Sequence, residues 1–340
     1  MSELDNNTQI TTDTKSETKP ELKKTTIGGQ ALIEGIMMVG PSRSCIAVRK
    51  GDGTIHVEEI TQSERVTFYE KVPFIRGCIR FYKMLVKGTD ALMKSADISE
   101  QGAPQPEGDD KKAPSALDQY LTKHYNVMVT LSAIFGILLS VGLFILLPWL
   151  IVFLATKLMG SALADTTWMS VILNLAEGVL RMIIFFLYLR FASKIEGIDR
   201  VWKYHGAEHT TIACYEAGEP LTVDNIKKYS RFHPRCGTSF MFLVLAISIL
   251  IYTVAGILVG DGRFLVNALI RILLIPVICG VSFEILRAVG RGNNAVCRGL
   301  SKPGLWLQKF TTSEPDAPII EVAIAAMQAV IPENADEDVW

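Results

Sequence analysis

The chain has 340 residues, a formal net charge of −1 and a hydrophobic share of 49%, nearly half of its residues. That balance, with no basic low-complexity patch, excludes general nucleic-acid binding. The six cysteines are scattered without the spacing of a secreted disulfide framework, so reduced thiols are expected. The apolar residues are gathered into four long runs, which points to a mainly α integral membrane protein.

In chain order, residues 1–26 are polar, lack the apolar stretch of a signal peptide, and read as a disordered tail. Residues 27–70 form a small β-rich cytoplasmic unit. It opens with "GGQALIEGIMMVGP", whose glycines serve either turns or close contact with a ligand, and goes on to "SCIAVRKGDGTIHVEEI". The second stretch predicts two strands joined by a tight turn at Lys50–Gly53, because Asp-Gly between alternating β-branched residues favours a hairpin. Residues 71–97 follow as a helix on which Arg76, Arg80, Lys83 and Lys87 recur at i, i+4, i+7 and i+11 and share one face. A cationic stripe opposite apolar residues suits an amphipathic helix on an anionic lipid surface. The plainer reading is a core helix that snorkels its basic side chains. Residues 98–118, rich in Pro, Gly and charge, form a flexible linker.

Residues 124–290 carry four transmembrane helices, at about 128–154, 168–191, 238–259 and 264–289, and each reaches the roughly 20 apolar residues that a bilayer core requires. The second contains Glu177 and Arg181, and the fourth contains Arg271 and Glu284. Ionisable groups at that depth are costly, so they pair between helices or line a site. The connecting loop 192–237 holds Lys194, Arg200, Lys203, Lys227, Lys228, Arg231 and Arg235, while the connections on the other side are short and nearly charge-free. This asymmetry places the loop and both termini in the cytoplasm. A C-terminal cytoplasmic segment, 291–332, includes a short amphipathic helix through Ile319, Ala323 and Met327 that stops at Pro332, and 333–340 is an acidic tail.

The chemistry concentrates in the loop. In "KYHGAEHTTIACYE", His205 and His209 lie at i, i+4 and face one side of a helix, where they could share a metal ion, with Glu208 beside them as a general base. The order H-x-x-E-H is that of the inverzincin peptidases. The alternative is a pair of surface histidines bonded to water or carbonyls. In "RFHPRCGTSF", His233 and Cys236 add an imidazole and a thiolate just before the third apolar run. Zinc suits this donor set best, with iron as second choice. Glu284, returning to the same boundary, could ligate, orient a histidine, or pair with Arg287. Two histidines with His233 and Cys236 would close a structural tetrahedron, whereas two histidines with Glu284 would leave a catalytic position open. Cys214 reads as a buried thiol, and His56 and His124 take no role.

Together "GGQALIEGIMMVGP", "VPFIRG", "YHGAEHTTIACYEAGEPLT", "FHPRCGTSF", "SFEILR" and "PGLWLQKFTTSEPD" resemble the YqhQ-like family of bacterial membrane proteins, over roughly residues 27–331. The resemblance implies an integral membrane protein of unknown function, described in general terms as a metal-dependent enzyme. His205, Glu208, His209, His233, Cys236 and Glu284 fall in its blocks. Two functions follow from the residues. One is a metal-dependent hydrolase acting on a membrane-associated substrate. The other is a non-enzymatic scaffold or partner subunit held by a structural metal or polar staple. Transport is a weaker third. The expected partners are the bilayer, including anionic lipid, and a membrane protein or a second copy of the chain.

Overall fold

The computed structural model describes residues 24–60, 68–102, 125–159, 167–259, 264–292, 294–334 and 337–338. Expectations for the first 23 residues, for most of the 98–118 linker and for His124 lie outside the described residues.

Strands β1 (Gly28–Leu32), β2 (Gly35–Val39), β3 (Ser44–Arg49) and β4 (Ile55–Ile60) form one antiparallel meander in sequence order. The first hairpin turns at Glu34, which takes a positive φ of 50°. The third, between β3 and β4, turns through Lys50–Gly53, where Gly53 adopts φ 85° and Asp52 accepts hydrogen bonds from the Thr54 amide and hydroxyl at 2.9 and 2.6 Å. Both faces of the sheet are covered. Ile36, Met38, Cys45 and Ala47 pack under helix α11 (Ala317–Val330), through Ile319, Val322, Ala323, Ala326 and Met327. On the opposite face Leu32, Met37, Ile46 and Val48 pack on Ala91 and Ile98 of helix α1 (Ile75–Ser99). This double burial explains why "GIMMV" and "SCIAV" run apolar without alternation. Helix α5 (Ile198–Glu216) closes the unit against β1 and α11.

Among the described residues, four helices are long and apolar enough to cross a membrane. The first is α2 (Tyr125–Val141), which continues through a π-helical turn, Gly142–Leu146, into α3 (Leu147–Met159). The second is α4 (Thr167–Ala192) and the third α7 (Gly237–Val259). The fourth is α8 (Phe264–Leu273) joined at Leu274 to α9 (Ile275–Arg291), with Pro276 in the first turn of α9. Only 11% of the first helix's apolar stretch is buried among the described residues, so its outer surface calls for apolar surroundings.

The π-turn has a local cause. Pro148 has no N–H to give Phe144, four residues back, and its ring crowds that carbonyl. Arg181 of α4 supplies the missing donor, with Nε 2.8 Å from the Phe144 oxygen. The same guanidinium donates through Nη1 to Ser248 Oγ at 2.9 Å and through Nη2 to Glu177 at 2.5 Å. Arg271 donates to the same Glu177 oxygen, also at 2.5 Å. The three charged side chains are almost wholly buried.

Helix α1 does not lie free along a surface. Its N-terminal turns press on α9, where Gly77 faces Phe283 and Gly280 faces the Phe74 carbonyl. Arg76 donates to Glu284 and Arg80 stands 5.8 Å over the Phe283 ring, while Lys83 is half-buried and Lys87 exposed. The basic stripe is thus divided between an interhelical ion pair, a ring contact and the exposed surface. The polar ends are also tied down in part. Thr25 Oγ1 and the Thr26 amide donate to Asp338 at 2.6 and 2.8 Å, and Asp338 is fully buried.

Candidate metal centre

The site is built where α5 meets the start of α7 and the end of helix α10 (Ala295–Thr311). His205 and His209 project from one face of α5, their rings 4.5 Å apart. Cys236 reaches them from the residue preceding α7, with Sγ 3.2 Å from His205 Nε2. One ligand atom from each of the three residues lies within 4.8 Å of the others. His209 and Cys236 are buried and His205 is partly so.

The surroundings orient each donor. His205 Nδ1 donates to the Thr311 carbonyl at 2.7 Å, and His209 Nδ1 donates to the Arg231 carbonyl at 2.6 Å. Each ring thereby carries a proton on Nδ1 and turns Nε2 toward the cluster, the orientation a metal needs. Burial holds the His209 imidazole below its ordinary value, which keeps it neutral. The Thr238 amide and hydroxyl both donate to Cys236 Sγ, at 3.4 and 3.3 Å. Two imidazoles and a cysteine sulfur fit zinc.

Gly206 explains how the Thr311 carbonyl gets so close. A Cβ at that position would run into the Ser313 carbonyl oxygen, so the chain after α10 can lie on α5 only because residue 206 is glycine. The Ser313 amide then donates to the Trp202 carbonyl at 2.9 Å and pins the segment. Gln308 clamps the other ligand loop, accepting from the His233 amide at 2.8 Å and donating to its carbonyl at 2.7 Å.

The remaining singled-out residues lie nearby or elsewhere. The ring of His233 is 5.6 Å from that of His209, but its Nε2 lies toward Arg235 at 3.4 Å and Glu216 at 3.7 Å. Glu216 is a second hub, accepting from Arg235 and, at 2.8 Å, from the Thr25 amide. Burial alone would raise its carboxyl, but His233, Arg235 and the Thr25 amide outweigh that and hold it below the usual range. Glu208 is buried, and its carboxyl abuts Gly29 of β1, where a Cβ would come within 3.1 Å of its Cδ. Burial raises its carboxyl, and Oε2 has no hydrogen-bond partner among the described residues. Glu284 is not brought to the cluster: both of its oxygens bond Arg76, and one also accepts from the Phe74 amide at 3.2 Å. Cys214 is buried against Ile226 of the short helix α6 (Val223–Ile226) and Ile320 of α11, apart from the cluster.

The site residues fall within 72–333, the stretch that matches a family described as a protein of unknown function (DUF1385). The chain belongs to the DUF1385 family. It is 32% identical over 312 residues to the uncharacterized protein YqhQ of Bacillus subtilis (strain 168), covering 89% of this chain and 92% of that one. No solved structure matches. All three clustered ligands and the carbonyls that orient them lie inside the DUF1385 stretch, whereas Gly29, against Glu208, precedes it. Reading by residue type missed the carbonyls of Thr311 and Arg231, because a backbone acceptor has no signature in a side-chain pattern. Thr238, two residues after Cys236, and Gly206, between the histidines, were the signals available.

Proposed function

We propose that this DUF1385 protein is a multi-pass protein of the cytoplasmic membrane that holds zinc on His205, His209 and Cys236 and hydrolyses a membrane-associated substrate. The observation that carries the metal reading is the paired orientation of the histidines. Both histidines spend Nδ1 on backbone carbonyls and aim Nε2 at a thiol that accepts two hydrogen bonds. Iron is the second choice for the same donors. Three protein ligands leave one coordination position open, which favours chemistry over a closed structural tetrahedron. Zinc would supply Lewis acidity there. Glu208, next to His209 on α5, is the proton carrier in this reading, a carboxyl whose pKa burial raises above its ordinary value. His233 and Glu216 border the site and position the loop.

The four apolar helices and the basic 192–237 loop support a membrane location with the cluster on the cytoplasmic side. A site within a few residues of α7's start draws on substrates at the lipid boundary: a peptide segment, a lipid or a lipid-linked intermediate. Exposed Lys87 on α1 remains available to anionic lipid.

A second reading, a scaffold or partner subunit with a zinc staple, is favoured by Glu208 itself, whose carboxyl meets β1 rather than opening onto the cluster. The discriminating experiment is elemental analysis of tag-free protein in detergent, run beside a hydrolysis screen on membrane-associated substrates. Near-stoichiometric zinc lost in His205→Ala and Cys236→Ala, with Glu208→Gln keeping zinc but losing turnover, supports the hydrolase. A silent Glu208→Gln with His205→Ala unfolding supports the staple. Well-folded wild type without metal sinks both.

A further inference from the structure

The buried charges among the four apolar helices are unequal. Glu177 faces two arginines, Arg181 and Arg271, so one positive charge is uncompensated by any neighbouring carboxylate among the described residues. The two arginines are also differently satisfied. Arg181 uses Nε, Nη1 and Nη2 on Phe144, Ser248 and Glu177. Arg271 bonds Glu177 through Nη1 alone among the described residues, and its guanidinium otherwise lies against the rings of Tyr252 and Trp149, at 5.0 and 5.8 Å. A guanidinium offers five N–H donors in a planar fork suited to oxyanions, and at membrane depth an unanswered donor is costly.

Arg271 borders a half-open cleft between α3, α4 and α8. Its α3 wall is mostly apolar, from Trp149, Val152 and Phe153 with Thr156, and its other side is polar toward Asn174, Glu177 and Arg271. The cavity measures about 30 Å³, room for a water-sized group. Asn174 and Arg271 each lie seven residues from the first residue of their helices, Thr167 and Phe264. At 1.5 Å per residue that is about 10 Å from the helix ends remote from the His/Cys cluster. Because α4's 26 residues outrun a hydrocarbon core of about 30 Å by several ångströms at each end, the cleft is only about 6 Å below the polar boundary.

We propose that this cleft is an anion site, in which Arg271 receives an acidic oxygen of a phosphate group whose remainder stays in the mouth. The source is either the headgroup of an anionic lipid or free phosphate. The site is independent of the metal centre and holds whether or not zinc is bound.

The test is native mass spectrometry of the full chain released from detergent, with phosphatidylglycerol, phosphatidylcholine or inorganic phosphate added. The wild type should retain one phosphatidylglycerol in preference to phosphatidylcholine. Arg271→Gln should weaken that retention at least about thirtyfold. Val152→Trp fills the cleft without touching a charge, and should abolish the preference even where Arg271→Gln fails to fold. Retention of inorganic phosphate, lost in both variants and with no lipid preference, assigns the same site to the free anion. Equal retention of the two lipids with no phosphate retained, or a preference unchanged in folded Val152→Trp, overturns the proposal.

Discussion

Gly206→Ala probes the contact on which the orientation of His205 rests. On an ordinary helix the change is favourable by about 1 kcal/mol, because alanine is the better helix former. Here the new Cβ would meet the backbone oxygen of Ser313, which cannot rotate away as a side chain could. Overpacking of this kind costs about 1–3 kcal/mol, and a backbone obstacle belongs at the upper end, leaving a net loss of about 2 kcal/mol. Relief comes by lifting the 311–315 segment from α5, which withdraws the Thr311 carbonyl from His205 Nδ1. Loss of such an orienting partner typically weakens metal affinity by about 10–100-fold. Gly299 is the control: it lies in α10, exposed, with nothing near its would-be Cβ, so Gly299→Ala should gain up to about 1 kcal/mol. The assays are thermal unfolding in detergent and zinc competition with a chromophoric chelator. A Gly206→Ala protein as stable as wild type, with unchanged zinc affinity, would refute the reasoning. Lost stability with unchanged affinity would refute only the role given to Thr311.

Three further outcomes are expected. Glu284→Gln should leave zinc stoichiometry at the wild-type level and loosen α1 from α9, read by elemental analysis and by proteolysis near Phe74; zinc loss would restore Glu284 as a ligand. Glu216, lowered in the folded state, stabilises the fold above the ordinary glutamate value of about 4.3, and that contribution disappears as pH falls through the folded value. Glu216→Gln should therefore lower the melting midpoint at pH 7 and flatten the acid limb, checked by melting curves from neutral to acidic pH. The Cys45 thiol, pushed up to about 11 by burial, should resist iodoacetamide at pH 8 until the protein is unfolded, as mapped by peptide mass spectrometry.

The four apolar helices were legible because length and composition alone set them, and the β3–β4 hairpin because Asp-Gly between β-branched residues has few other uses. The first hairpin was not. Its strands bury both faces, under α11 and α1, so the alternation that marks a strand is missing, and its turn uses Glu34 rather than glycine. At the site, helical spacing singled out His205 and His209, and residue chemistry added Cys236; these are the three that the structure groups. Glu284 could not be placed, since its partner Arg76 comes from a helix far away in sequence whose basic residues also read as a lipid-facing stripe. Spacing puts Glu208 near the histidines, but only the fold reveals that its carboxyl is turned toward Gly29.

The proline turn in the first apolar helix bears on biogenesis. Alone in hydrocarbon, that helix would expose the Phe144 carbonyl without a donor, and α4 alone would carry Glu177 and Arg181 without Ser248 or Arg271. Each segment therefore partitions less readily than its hydropathy suggests, and each holds part of what the other lacks. Were the four crossings inserted in chain order, α2–α4 would bring Glu177, Arg181 and the Phe144 carbonyl together, α7 would add Ser248, and Arg271 would follow near the start of the fourth. The order of synthesis would then set when the network is complete.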